Sequence, residues 1–200
     1  MFTVPDTEKK IRAKISNYKS GLNRELREYG AISDGYGKRY LIFPLLLVLD
    51  DLKKAKEYME WYDAQFPDDI GEPIQMLCRS ILSHRLGNTE KATYELAATM
   101  LSNVYLLPWL FGNNIGPFGI EQTSDFANPD HCDYMPLEVF HSISGEELYW
   151  IESCFESEIF REAHTRFIEI SLILNLVSNE ERVALLNERN GLLMPFEKFS

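Results

Sequence analysis

Antiparallel helical hairpins followed by a C-terminal helical bundle, an all-α fold, are what this sequence predicts, on three observations. Apolar residues recur at spacings of three and four in one segment after another. Ser, Thr, Asp, Gly and Pro punctuate the ends of those segments, as helix caps and breakers do. No stretch sustains the alternation of apolar and polar residues that a half-buried strand needs. At 200 residues the chain can bury a substantial core without metal or disulfide.

Ile11, Ile15, Tyr18, Leu22, Leu26 and Tyr29 form one stripe, which predicts a helix over 7–29 ended by Gly30. Gly35 and Gly37 suggest a flexible link over 33–38, and a central helix follows over 39–49, apolar on all sides. Asp50 or Asp51 caps a third helix whose inward set is Leu52, Ala55, Tyr58, Met59, Tyr62 and Phe66; Pro67 stops it. Pro73 suits the first turn of a fourth helix to Leu86, burying Ile74, Leu77, Cys78, Ile81 and Leu82. Gly87 and Asn88 turn the chain into a fifth helix over 89–102, which buries Ala92, Leu96, Ala97 and Met100. A short apolar helical piece around Pro108 over 104–111 could serve self-association if exposed, and a loop over 113–136 follows. Ser144 with Glu147, and Ser178 with Glu181, are capping boxes for two more helices, and a long helix over 157–176 lies between them. The chain divides into hairpins over 1–112, an acidic loop over 113–143 and helices over 144–200, expected to pack as one domain.

The longest apolar run, 41–49, is too short to span a bilayer and no membrane partner is expected. The first residues lack a signal-peptide pattern, and Cys78, Cys132 and Cys154 are odd in number and widely spaced, so a reducing, cytoplasmic setting is expected. Charge is distributed unevenly. Between Lys91 and Arg161 no lysine or arginine occurs, while eleven acids do, a number equal to the net charge of −11. Nucleic acid is repelled by such a stretch, and a cationic protein is attracted.

The segment 39–103 resembles tetratricopeptide-type repeats through Asp50, Ala55 and Pro67 in one unit and Gly87, Ala92 and Leu96 in the next. Ala55 and Ala92 are 37 residues apart, against a usual period of roughly 34. Phe43 and Ser80 stand where the repeat carries glycine. The phrases at 34–40 and 66–73 are also similar to bacterial tetratricopeptide-like proteins of no assigned activity. The resemblance implies a right-handed stack of hairpins with a concave face for a peptide or protein.

Catalytic patterns are weak. Gly35-Tyr36-Gly37-Lys38 falls short of a phosphate loop, which needs two glycines five apart, a Lys and then Ser or Thr after a strand; here Arg39 follows the lysine and no strand precedes. His131, Cys132 and Asp133, with His141, could serve a metal-dependent hydrolase, but adjacent residues converge poorly on one ion. Glu158 and Glu162 with Arg161 and Arg166 have the spacing of surface ion pairs. The leading expectation is therefore a non-enzymatic protein-binding module with no cofactor and no metal. Its basic partner, such as a cationic toxin in an immunity-like role, would meet Glu121, Asp125, Phe126, Asp130, Asp133, Tyr134, Glu138, Glu146 and Glu147.

Overall fold

The computed structural model describes residues 2–113, 115–120, 127–174 and 176–199, and among these every regular element is helical. Helix α1 (Glu8–Tyr29) starts at Thr7, whose hydroxyl accepts from the Lys10 amide, and ends at Gly30, whose φ of 70° closes the last turn. It buries Ile11 and Leu22 against α2 (Lys38–Leu49). The link between them is tied down rather than flexible. Glu25 accepts the Ser33 and Asp34 amides, and Asp34, at φ 41°, accepts the Lys38 and Arg39 amides at 2.8 and 2.9 Å. Asp34 thereby satisfies two of the free amides that open α2.

Residues 42–47 of α2 are all buried, as an apolar surface on every side requires. Phe43 sits between Tyr58 and Tyr62 of α3 (Leu52–Gln65), with ring centroids 5.0 and 5.2 Å away. Helix α4 (Pro73–Arg85) is opened by an unusual capping box: Glu72 accepts the Ile74 and Gln75 amides while the Gln75 side chain accepts the Glu72 amide. Gly87, at φ 79°, lets the chain turn into α5 (Thr89–Ser102). There Ala92 and Ala97 are fully buried, and the Ser80 hydroxyl donates to the Ala92 carbonyl at 3.0 Å, so α4 and α5 lie close together.

Helix α6 (Leu106–Leu110) corrects an expectation. Val104, Tyr105, Leu106, Leu107 and Leu110 are buried in this chain's own core, so the segment offers no apolar face for self-association. The loop expected over 113–136 also holds structure, because Pro129–Tyr134 form a 3-10 turn that buries His131 and Cys132. Then come α7 (Leu137–His141), α8 (Gly145–Phe155), α9 (Glu158–Ile173) and α10 (Asn179–Gly191), with a second 3-10 turn over Met194–Phe199. Helix α9 is shorter than its sequence pattern suggests. Phe196, fully buried, meets the Phe160 ring edge-on at 4.9 Å and fastens the C-terminal end to the core. One apolar cluster runs from Val4 to Phe196, so the first five helices and the C-terminal helices share a core. No helix among the described residues is long and apolar enough to cross a membrane.

Candidate functional site

Of the eleven acids between Lys91 and Arg161, three are met by cations from elsewhere in the chain. Glu95 pairs with Arg79 at 2.6 Å, Glu147 with Arg85 at 2.7 Å, and Glu156 with Arg161. Glu121 and Asp125, together with Phe126, lie outside the described residues. The remaining six, Asp130, Asp133, Glu138, Glu146, Glu152 and Glu158, are exposed and have no cationic partner among the described residues. Exposed Tyr134, Leu137 and Tyr149 are interleaved with them. On α8, Glu146, Tyr149 and Glu152 follow at intervals of three and share its outer face.

Glu147 does not belong to this surface. Its carboxylate accepts the Ser144 amide as half of a capping box and both Nε and Nη2 of Arg85, at 2.7 and 3.0 Å. Arg85 in turn donates to the Ser142 and Leu47 carbonyls and to Asp50, so it holds α2, α4 and the start of α8 together. Burial by itself would raise the Glu147 pKa, but Arg85 overcomes that and holds the carboxyl below its ordinary value. A group so occupied is structural.

The residues that a metal-dependent hydrolase would use diverge. His131 turns inward, its Nε2 2.5 Å from Glu72, while Asp133 faces solvent and His141 is exposed. Cys132 is 1% exposed, and burial, with Asp133 nearby, pushes its thiol up to about 12, the opposite of an activated nucleophile. No three His, Cys, Asp or Glu side chains converge as metal ligands among the described residues. The slot that a phosphate would fill at the start of α2 is occupied by the Asp34 carboxylate. Arg161 and Arg166 form surface ion pairs as expected, although with Glu156 and with Glu169 and Glu188 rather than with Glu158 and Glu162.

A second region was not visible in the sequence. A groove of about 840 Å³ opens between α3 and α5 over α4, walled on one side by the end of α10. Tyr62, Phe66, Met76, Tyr94 and Leu101 give it an apolar lining. One end rests on Asp69, whose carboxylate accepts Arg39 Nε at 2.7 Å and the Tyr40 and Tyr62 hydroxyls at 2.8 and 2.7 Å. Burial opposes that charge, yet Arg39 and the two hydroxyls keep the carboxyl below its ordinary value. The phenol of Tyr40 moves the other way, pushed up to about 12 by burial and then by Asp69. Along the floor, Arg79 bridges Asp63 and Glu95, and Ser83 donates to Glu95 at 2.5 Å. The lining residues come from positions 62 to 193, and no local pattern joins them.

Set against known protein families, characterised proteins and solved structures, the chain matches none.

Proposed function

We propose that this chain is a non-enzymatic interaction module, built on tetratricopeptide-type hairpins, that binds a basic surface of another protein through its acidic segment. One observation carries the reading: six carboxylates from Asp130 to Glu158 are exposed without cationic partners among the described residues, and apolar side chains are interleaved with them. Exposed charge of one sign steers a partner of the other sign, and aromatic side chains supply the area that desolvation needs. The hairpin reading is supported by the close packing of α4 on α5 at Ser80 and Ala92, with α2 and α3 as the preceding pair. The divergence of His131, Cys132 and Asp133 favours binding over hydrolysis.

The test pairs affinity capture from the native cell with association kinetics. The wild-type chain should retain a basic protein whose association slows as salt rises. Replacing Asp130 and Asp133 by Asn, and Glu138, Glu146, Glu152 and Glu158 by Gln, should slow association at low salt by about tenfold or more. Equal retention and equal association rates for the variant and the wild type would remove the basis of this reading.

A further inference from the structure

The groove over α4 has a charge pattern that the acidic segment does not explain. Its lining carboxylates are all neutralised: Asp63 by Arg79 and Lys91, Asp69 by Arg39, and Glu95 by Arg79. Among the lining cations, Arg79 and Lys91 are thereby engaged. Arg189, on the last turn of α10, is different. It is half-buried, no carboxylate pairs with it among the described residues, and its guanidinium lies 5.6 Å from the centre of the Phe167 ring. Burial, and then the nearby Arg182, lower its pKa. Arg189 therefore places at the wall of this apolar groove a positive charge that no lining carboxylate neutralises, and such a charge attracts an anion.

We propose that this groove binds a small molecule with an apolar body and a single carboxylate, the body lying against Phe66, Met76, Tyr94 and Leu101 and the carboxylate meeting Arg189. The volume, about 840 Å³, lies within the range of roughly 300–1,000 Å³ of small-ligand sites. A planar guanidinium suits a carboxylate because it can donate two parallel hydrogen bonds. Ala98, half-buried on the lining, leaves room for the body where a larger side chain would fill it. The proposal is independent of the acidic surface, since none of its residues lies between Asp130 and Glu158.

Isothermal titration with octanoate and octanol provides the test. Octanoate should bind the wild type at one site, at least tenfold more tightly than octanol. In Arg189→Gln that preference should vanish, in Arg189→Lys it should return in part, and in Ala98→Trp both ligands should lose measurable binding while far-ultraviolet circular dichroism stays unchanged. Equal affinity for octanoate and octanol in the wild type, or a preference that survives Arg189→Gln, would overturn the assignment. An apolar hexapeptide with a free C-terminal carboxylate that binds where octanoate does not would also overturn it, making the groove a receptor for chain ends.

Discussion

Replacing Glu147 by Gln and, separately, Glu146 by Gln separates a structural acid from a surface acid at adjacent positions. The Glu147 side chain is 8% exposed and that of Arg85 14%, and the two share two charge-assisted hydrogen bonds. Breaking a buried pair by removing one charge costs about 3–5 kcal/mol. Gln retains one oxygen for the Ser144 amide, so the lower end, about 3 kcal/mol, is expected. With a urea slope of about 2 kcal/mol per M, the unfolding midpoint of Glu147→Gln should fall by about 1.5 M, followed by tryptophan fluorescence. Glu146 is exposed and unpaired among the described residues, so Glu146→Gln should stay within about 0.5 kcal/mol of wild type. The folded-state pKa of Glu147 lies below its ordinary value, so its contribution is complete at neutral pH and is lost as pH falls through that lowered value. The gap between wild type and Glu147→Gln should therefore close in acid. Coincident midpoints for the two variants at neutral pH would refute the structural role given to the Arg85 clasp.

Three further outcomes follow from particular contacts. A Cβ at Gly71, where φ is 84°, would lie 2.8 Å from Gln75 Oε1 and Met76 Cγ, so Gly71→Ala should destabilise by more than about 1 kcal/mol. Gly35→Ala, with nothing within 4 Å, should leave the thermal midpoint nearly unchanged, and equal losses at the two sites would contradict the geometry. Cys78 and Cys132 are 0% and 1% exposed with thiols pushed up by burial, so both should react with Ellman's reagent at mildly alkaline pH only after unfolding; a rapid native reaction at either would count against that placement. The His164 ring donates from Nε2 to the Val104 carbonyl at 2.9 Å, and burial lowers its pKa from the ordinary 6.5. Its neutral form contributes fully above that ordinary value and loses its contribution as pH falls through the lowered one. An NMR titration midpoint at or above 6.5 would contradict this.

Legibility followed the range of the interactions. Gly30, Gly87 and the boxes Ser144 with Glu147 and Ser178 with Glu181 act on their own backbone, and the ends they predict for α1, α5, α8 and α10 agree with the structure to within a residue or two. Glu72 is an uncommon kind of cap that no sequence pattern marks, and its pairing with His131 spans 59 positions. Two glycines suggest a loose link over 33–38, but the carboxylates of Glu25, from α1, and Asp34, within the link, bind its amides. Helix α7, at five residues, is too short to show a period, and the 3-10 turn around Phe196 has none to show. The acidic segment was countable in the sequence, yet which acids would be neutralised was not, because Arg79 and Arg85 reach Glu95 and Glu147 only after folding. The groove was hidden for the same reason.

Helix α10 has no buried residue along its thirteen positions, and Val183 on it is 58% exposed. Its attachments are peripheral: Glu188 to Arg166, Arg182 to the Leu174 carbonyl, Arg189 over the Phe167 ring, and the Phe196 anchor beyond its end. Its detachment therefore costs little, and it carries Arg189 at the edge of the groove. Amide protons of α10 should exchange with solvent well before those of α4 and α5. A molecule held by Arg189 would slow that exchange, so occupancy of the groove and firmness of the C-terminal helix become a single equilibrium, each raising the other.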